Sequence, residues 1–325
     1  MTTMRALVIE RYGPPEDVLR LGQVPRPQPK SGEVLVRMHA AAVNSWDWDS
    51  VTGTPMGRIT GPFKPPFNIL GADIAGTVEA LGQGVTTLKP GDSVFGDLSG
   101  GKWGGFADYV CAPASVLAPI PPGLPFIDAS AIPQAGSLVL QALRKFPHLG
   151  SGHTVVFNGA GGGVGTFGIQ LAKARGATVI AVDREEKRDA LLALGADGFI
   201  DYRSEDFSIA CERYDLIIDV VANRPPKHYR RCLKPGGRLV VIGGTIPGII
   251  GILLASPFSR SRTLSILPYR VSAEDNLMLA SMVRPVIDST FPLEEGARAL
   301  RRLGDGRAIG KVVVTMTESS KAPHR

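Results

Sequence analysis

Five glycines lie within residues 159–165, in the stretch GAGGGVG, where the chain passes from one apolar segment to another. The preceding run, Thr154–Asn158, is short and apolar, which predicts a strand. The following segment, Val164–Arg175, has apolar residues at helical spacing, which predicts a helix. Because a turn with so few side chains lets another molecule approach the backbone closely, this segment points to a strand–turn–helix unit built around a ligand.

The segment Ala160–Gly165 matches the dinucleotide-binding fingerprint, with alanine in place of the first glycine. In this interpretation Gly162 lets the backbone approach a pyrophosphate, and Gly165 lets the helix pack closely against the strand. The helix start adds backbone N–H groups and the positive end of the helix dipole. The alternative is a tight strand-to-helix turn that binds nothing. The residues predicted to bind the cofactor here are Gly161, Gly162, Gly163, Val164 and Gly165.

Asp183 ends the next predicted strand, Thr178–Asp183, where an acidic residue accepts hydrogen bonds from the ribose 2′-hydroxyl of NAD. A carboxylate disfavours the extra phosphate of NADP, yet Arg184, Lys187 and Arg188 follow directly. Nearby cations of this kind offset a repulsion of about 1–4 kcal/mol. Local chemistry therefore leaves the choice between NAD and NADP open. The alternative for Arg184 and Lys187 is a solvated helix start.

The chain divides into two patterns. Its first 120 residues contain short apolar runs separated by turn formers such as PKSGE and KPGD, which are typical of an all-β, barrel-like unit. From Thr154 onward, predicted strands alternate with predicted helices, which indicates a doubly wound parallel sheet and an α/β fold. The last 55 residues or so are expected to return to the first domain, and Glu318–Arg325 to form a frayed end.

Composition excludes several classes of function. The longest apolar segment, Ile246–Phe258, is interrupted by Gly and Pro and is too short to span a bilayer, so no membrane protein is expected. The start of the chain lacks a secretory signal pattern, which predicts a cytoplasmic protein. The three cysteines are widely spaced and form neither a disulfide framework nor a metal cluster. The net charge of +6 is scattered, so nucleic acid is an unlikely partner.

Several stretches, spread over nearly the whole chain, match one known superfamily: GPPEDVLRL, GEVLVRMHAAAVNSWDW, ILGADIAGTVEALGQGV, KPGDSVFG, GGFADYV, AIPQAG, NGAGGGVGTFGIQLAKARGA, LGADGFIDYRSEDF, KPGGRLVVIGG and GKVVV. The chain resembles the medium-chain dehydrogenase/reductases, specifically their zinc-independent quinone oxidoreductase-like branch. The resemblance implies a GroES-like β-barrel catalytic domain (1–125), a Rossmann dinucleotide-binding domain (126–270) and a C-terminal return to the catalytic domain (271–325). It also implies a cofactor in the cleft between the domains and a homodimer.

The zinc-dependent members of this superfamily bind catalytic zinc through an early cysteine and a His-Glu pair. The matching positions here hold Asn44 and the pair Ala72-Asp73, which supply no thiolate or imidazole. The stretch DLSGGKWGG stands where those members have a four-cysteine structural zinc lobe. A zinc-free site is therefore expected, and with it a reaction other than Lewis-acid oxidation of an alcohol.

Without a metal, the resemblance implies hydride transfer from NAD(P)H to a quinone or to an α,β-unsaturated carbonyl. Asn44 matches the family asparagine near the nicotinamide, where its amide is expected to donate to the developing enolate oxygen; the alternative is that it only satisfies a turn. Trp46 and Trp48 are expected to wall the substrate pocket, or else to be aromatic core residues. Asp49 replaces the tyrosine proton donor of some relatives. Asp47 is expected to cap a helix, the alternative being a buried acid with a shifted pKa.

Further cofactor contacts follow from the resemblance. Lys187 and Tyr202 match positions that hold the 2′-phosphate in NADP-using relatives, which favours NADP(H) over NAD(H). Gly243 ends the strand that is expected to lie beside the nicotinamide. Lys311 is expected to contact the cofactor, the alternative being a surface lysine. The apolar segment 246–258 is expected to line the substrate pocket, a dimer face or the core.

Two classes of function remain open on the sequence. The first is a zinc-free, NAD(P)H-dependent reductase of quinones or enones that acts on a small molecule. The second is a catalytically silent nucleotide sensor or RNA-binding protein on the same fold, for which the net charge of +6 is the only support. Both need the glycine turn, and Asn44 favours the reductase.

Overall fold

A computed structural model describes residues 2–258 and 263–316 of the chain. The segment Glu318–Arg325, predicted to be a frayed end, lies outside the described residues. Within the described part, no helix is both long enough and apolar enough to cross a bilayer.

The strands, in chain order, are β1 (Thr3–Val8), β2 (Arg20–Pro25), β3 (Glu33–Val43), β4 (Asp73–Leu81), β5 (Ser93–Asp97), β6 (Tyr109–Pro113), β7 (Leu117–Pro119), β8 (Thr154–Asn158), β9 (Thr178–Asp183), β10 (Gly198–Asp201), β11 (Tyr214–Asp219), β12 (Leu233–Val241), β13 (Thr263–Ile266), β14 (Ile287–Pro292) and β15 (Lys311–Thr315).

The helices are α1 (Pro15–Val18), α2 (Ser45–Thr52), α3 (Phe126–Ala131), α4 (Pro133–Leu143), α5 (Gly163–Lys173), α6 (Arg188–Ala193), α7 (Pro226–Cys232), α8 (Ile246–Ala255), α9 (Ala273–Met282) and α10 (Gly296–Gly304). Short 3-10 turns occur at Gly57–Ile59, Ala114–Val116, Glu185–Lys187, Phe207–Ile209, Ser256–Phe258 and Leu293–Glu295.

The chain folds into two compact units. Unit 1 contains the described residues up to Pro133, the segment Ser289–Arg307 and the described residues from Val312 to Met316. Unit 2 contains Gln134–Asp288 together with Ala308–Lys311.

Unit 1 is built on a largely antiparallel sheet in the order β14-β15-β3-β4-β5-β7, with β6 also paired to β3. A separate hairpin joins β1 to β2. The long strand β3 is central, and its residues 34–36 and 40–43 are buried, so the core of this unit lies on β3 and its neighbours. Helix α10, from the returning C-terminal segment, packs against α1 and α2.

Unit 2 contains a six-stranded parallel sheet in the order β10-β9-β8-β11-β12-β13. The chain starts at β8, winds outward to β10, and then crosses back to β11 on the other side of β8. This order is that of two mononucleotide-binding halves, and the winding direction reverses between β8 and β11. The central strands are buried on both faces, as parallel strands covered by helices must be.

The predicted elements of the parallel sheet agree closely with the structure. The strands β8 and β9 match their predicted bounds residue for residue. The strand β10, of four residues, was not predicted because so short a run carries little periodicity. The apolar segment at 246–258 forms α8 and a 3-10 turn, a helix that its Gly and Pro residues obscure in the sequence.

The two units divide the chain differently from the predicted domain bounds. Helix α3 belongs to unit 1 because it packs on β3 and β4, so the boundary lies near Pro133 instead of 125. Helix α9 belongs to unit 2, where Asn276 accepts a hydrogen bond from Ser137 of α4 at 3.0 Å. The return to unit 1 therefore begins near Ser289, later than residue 271.

Candidate functional site

The glycine turn between β8 and α5 leaves its backbone open at one position. Gly162 is the N-cap of α5, and a Cβ added there would have its nearest neighbour, the carbonyl oxygen of Gly159, 3.7 Å away. At Gly165, in contrast, a Cβ would overlap the backbone of Ala160. The close helix packing predicted for Gly165 is therefore seen, and the approach of a pyrophosphate to Gly162 stays a prediction.

Asp183, at the end of β9, shapes this turn. Its carboxylate accepts the backbone N–H of Gly161 at 2.7 Å and that of Arg184 at 2.9 Å. The side chain is almost completely buried. Hydrogen bonds to an ionised acceptor are among the stronger ones, so Asp183 fixes the shape of the turn, and its contact with a ribose stays a prediction.

Lys187 is buried beside Asp183. Its ammonium lies 3.3 Å from the Asp183 carboxylate, and its stem lies over Gly161, where a Cβ would overlap the Lys187 Cδ. The side chain is 6 % exposed, so Lys187 is not part of a solvated helix start.

Arg184 and Tyr202 form the exposed edge of the same region. The Arg184 Nε donates to the Tyr202 hydroxyl at 3.1 Å, and the Tyr202 backbone N–H donates to the Asp183 carbonyl at 3.3 Å. Tyr202 is 44 % exposed. The structure therefore brings together Asp183, Arg184, Lys187 and Tyr202 at the carboxyl ends of β9 and β10.

The C-terminal segment 308–311 crosses the glycine turn. Gly310 donates its N–H to the carbonyl of Gly161 at 2.8 Å and forms a parallel bridge with Gly162. The Lys311 side chain lies over Gly163, where a Cβ would come within 2.6 Å of its Cδ, and Lys311 is 3 % exposed. Lys311 is thus a buried lysine at the start of α5, and the alternative of a surface lysine does not hold.

A buried polar cluster, which the sequence reasoning missed, lies at the ends of β8 and β11. Asn158 donates its side-chain N–H to Asp219 at 2.9 Å, and the Tyr229 hydroxyl donates to the other Asp219 oxygen at 2.8 Å. The signal in the sequence is an acidic residue closing the apolar run Tyr214–Asp219. Gly243, predicted to contact the cofactor, lies nearby: its Cβ would be 3.3 Å from the carbonyl oxygen of Val220.

Asn44 lies in unit 1, at the N-cap of α2, and is 6 % exposed. Its backbone N–H donates to the Asp47 carboxylate at 2.8 Å. The second Asp47 oxygen accepts the N–H of Gly71 at 2.9 Å. The prediction that Asp47 caps a helix is confirmed, because Asn44 and Asp47 form both halves of a capping box at the start of α2. The catalytic role of Asn44 stays a prediction.

The two tryptophans of α2 have different surroundings. The Trp48 ring packs against α10, so that a Cβ on Gly304 would overlap it, and the Arg301 guanidinium carbon lies 5.4 Å from its centre. These contacts correspond to the core alternative for Trp48, and they do not support its predicted place in a pocket wall. Trp46 is 39 % exposed, and its pocket role stays a prediction.

Asp49 occupies the position at which some relatives have a tyrosine. Its carboxylate accepts the Thr54 hydroxyl at 2.6 Å. Burial raises the pKa of Asp49 above its ordinary value, and the Thr54 hydrogen bond opposes that shift. The side chain therefore holds its proton more tightly than a solvated aspartate does.

Within the described residues, no three His, Cys, Asp or Glu side chains are arranged to hold a metal ion. Burial raises the pKa of Cys111 to about 11 and that of Cys232 to about 12, so both are protonated thiols at neutral pH. The zinc-free character of the site stays a prediction.

Comparison with known proteins places this geometry in a family. Residues 30–122 match the alcohol dehydrogenase GroES-like domain, and residues 194–314 match a model described as zinc-binding dehydrogenase. A chloroplastic quinone oxidoreductase of Triphysaria versicolor is 31% identical over 325 residues, covering 96% of this chain and 98% of the relative. The chain belongs to the quinone oxidoreductase-like medium-chain dehydrogenase/reductases.

Other relatives of this medium-chain reductase differ in their named substrates. A 2-methylene-furan-3-one reductase of Solanum lycopersicum is 33% identical over 323 residues, covering 96% of this chain and 79% of that protein. Among solved structures, the quinone oxidoreductase from Coxiella burnetii superposes with a TM-score of 0.86 at 30% identity, covering 97% of this chain and 100% of the other.

The medium-chain reductase is thus an NAD(P)H-dependent oxidoreductase with a nicotinamide cofactor, and the residues of unit 2 fit that cofactor. The space over Gly162 is open, and α5 begins without a side-chain cap for its first N–H groups. The neighbouring lysines, Lys187 and Lys311, supply positive charge on either side of the turn. Such a helix start favours a pyrophosphate through its N–H groups and its dipole.

Proposed function

We propose that this protein transfers hydride from NAD(P)H, with NADPH preferred, to a quinone or to an electron-poor alkene conjugated to a carbonyl. One observation carries the proposal: the backbone at Gly162 is open, while its neighbours Gly161 and Gly163 are covered by lysine side chains. This arrangement suits a pyrophosphate, which would approach the turn at Gly162 between the two lysines. The named substrates of the relatives support the choice of acceptor.

The bound nicotinamide supplies the hydride, and the residues of this chain place it. Gly162 and the start of α5 bind the pyrophosphate, with Lys311 beside Gly163. Asn44 is proposed to donate its side-chain N–H to the oxygen that becomes negative during reduction. A preorganised donor of this kind stabilises the transition state more than the ground state.

The preference for NADPH is supported by how Asp183 is used. Its carboxylate already accepts two backbone N–H groups and pairs with Lys187, so little of its charge is left to repel a phosphate. Arg184 and Tyr202 add a guanidinium and a hydroxyl at the exposed edge. Two unit charges 4 Å apart near a protein surface interact by about 4 kcal/mol, which is enough for these cations to decide the cofactor.

A homodimer is also proposed. Helix α8 is apolar and leaves Ile250, Leu253 and Leu254 at 49%, 57% and 70% exposure. A second copy of the chain is the expected cover for such a face. Light scattering coupled to size exclusion tests this, and a monomer at micromolar concentration would contradict it.

The function is tested with purified protein, NADPH or NADH, and a panel of quinones and enals, while the absorbance of the reduced cofactor is followed. Calorimetry measures cofactor binding in parallel. We expect oxidation of NADPH with at least one acceptor class and tighter binding of NADPH than of NADH. Tight cofactor binding without oxidation of any acceptor would overturn the proposal and favour a nucleotide sensor.

A further inference from the structure

The carboxylate of Asp219 closes the end of β11 next to the end of β8. Its partner in the strand register is Asn158, the last residue of β8. The sheet reverses its winding direction between these two strands. In open α/β sheets, ligands bind outside the carboxyl ends of the strands at this switch point. Asp219 therefore lies directly beneath the place where a ligand is expected, although its own side chain is completely buried.

Four hydrogen bonds converge on Asp219. One oxygen accepts the Asn158 side-chain N–H at 2.9 Å and the backbone N–H groups of Val221 and Ala222, both at 2.8 Å. The other oxygen accepts the Tyr229 hydroxyl at 2.8 Å. A buried carboxylate with this many donors is held in one orientation, and it holds its donors in return.

Tyr229 is a permanent donor in this cluster. The residue is completely buried, and burial, followed by the charge of Asp219, raises the pKa of its hydroxyl well above the ordinary value. The phenol therefore stays protonated, and its hydroxyl donates a hydrogen bond to the Asp219 carboxylate. Removing this donor leaves part of a buried charge without compensation.

The loop 220–222 takes its shape from Asp219. Ala222 has a φ of 36°, in the left-handed region that alanine rarely adopts, and its N–H is one of the groups that Asp219 holds. The loop packs closely against two glycines. A Cβ on Gly159 would overlap Val220, and a Cβ on Gly244 would overlap Ala222. The next side chain, Val221, is 37% exposed.

We propose that Asp219, together with Asn158 and Tyr229, is a positioning group for the nicotinamide half of the cofactor. The first half of the sheet, with the glycine turn and Asp183, binds the adenosine half. By the two-fold design of such sheets, the ends of β11 and β12 receive the other half. Asp219 holds the loop 220–222 as one wall of that site, with Val221 facing the ligand. This inference rests on the proposed function.

The test compares two ligands that differ only in the nicotinamide: NADPH and the 2′-phosphate of ADP-ribose, each titrated by calorimetry. Tyr229→Phe removes the hydroxyl donor and keeps the ring. We expect this variant to bind NADPH about tenfold more weakly and to reduce acceptors about tenfold more slowly, because a hydrogen bond to a charged group is lost. Binding of the nicotinamide-free ligand is expected to change by less than about twofold.

Tyr214→Phe is the matched control. Tyr214 is also completely buried in the same core cluster, and among the described residues its hydroxyl has no hydrogen-bond partner. We expect this variant to keep both affinities and the reduction rate. Asp219→Asn keeps an oxygen that accepts the N–H groups of the loop, whereas Asp219→Ala removes it. We therefore expect Asp219→Asn to retain more reductase activity than Asp219→Ala.

Three outcomes would overturn the inference. In the first, Tyr229→Phe would lower the melting temperature and leave NADPH binding and the reduction rate unchanged. In the second, it would weaken the binding of both ligands equally. In the third, Tyr214→Phe would show the same effects as Tyr229→Phe. A wild-type protein that binds both ligands but reduces no acceptor contradicts the proposed function and leaves the affinity comparison as an independent readout.

Discussion

The ammonium of Lys187 lies 3.3 Å from a carboxylate oxygen of Asp183, and both side chains are nearly buried. The residue that disfavours a 2′-phosphate is thus paired with the residue that favours one. In the sequence the two give opposite indications about the cofactor. In the structure the pair is buried, whereas Arg184 is half-buried and Tyr202 is 44% exposed, and the contact of these two side chains with the ribose end of the cofactor stays a prediction.

Replacing Lys187 by alanine is expected to weaken NADPH binding by about tenfold or more, since a cation is lost and the Asp183 charge is uncovered. NADH binding is expected to stay within about twofold. Calorimetric titration of both cofactors measures the change. Lys173→Ala is the control, because Lys173 forms an exposed ion pair with Asp197 at 2.7 Å in the same unit. An unchanged ratio of the two affinities would remove Lys187 from the 2′-phosphate site.

The two tasks of the glycine turn are separable by alanine substitution. Gly162→Ala is expected to fold with an unchanged melting temperature, because the nearest neighbour of its Cβ is 3.7 Å away, and to bind cofactor more than about tenfold more weakly. Gly165→Ala is expected to lose about 1–3 kcal/mol of unfolding free energy, because its Cβ overlaps the backbone of Ala160. Equal cofactor binding by Gly162→Ala and wild type would contradict this assignment.

Alanine substitutions of the two tryptophans of α2 are expected to differ in their effect on stability. Trp48→Ala removes a ring packed against Gly304 and is expected to cost about 2–4 kcal/mol of unfolding free energy. Trp46→Ala, at a more exposed position, is expected to change stability by less than about 0.5 kcal/mol. Chemical denaturation measures both. A Trp48→Ala variant of normal stability with an altered KM for the acceptor would return Trp48 to the pocket wall.

The partly buried carboxyl group of Asp49 is expected to make the stability of the protein depend on pH. Its pKa in the folded protein is raised by burial, so the folded state binds this proton more tightly than the unfolded state does. The contribution of Asp49 to stability therefore falls as the pH rises from about its ordinary value of 3.8 through the raised value. Asp49→Asn should be no more stable than wild type below that window and more stable above it, by at most about 1 kcal/mol because the group is partly exposed. Denaturation series at several pH values measure this difference, and a constant difference would refute it.

Asn44→Ala tests the proposed donor. The Asn44 side chain also takes part in the capping box at the start of α2, so this variant is expected to lose about 1 kcal/mol of unfolding free energy as well. We expect kcat to fall by about 10²–10³ while cofactor affinity stays nearly constant. Ser45→Ala, at the exposed neighbouring position, is the control. A fall in melting temperature with unchanged kcat would assign Asn44 to the turn alone.

Periodicity and glycine placement were enough to predict the parallel sheet and the glycine turn, because buried strands and close backbone approaches restrict the residue types allowed. The contacts of individual side chains were harder to predict from the sequence. The sequence left Trp48 between a pocket wall and the core because its partner Gly304 is distant in the chain. It left Lys311 between a cofactor contact and the surface, and burial beside the crossing at Gly310 excludes the surface. Asp219 escaped notice because its four donors come from three separate segments.

The hydrogen bond from Gly310 to Gly161 joins the glycine turn to a segment about 150 residues further along the chain. Unit 2 is therefore not one contiguous stretch of the sequence. A fragment ending at Asp288 would carry every strand of the parallel sheet and still lack Lys311 and the crossing segment over the turn. Efforts to excise or graft this unit have to bring the four residues at 308–311 with it.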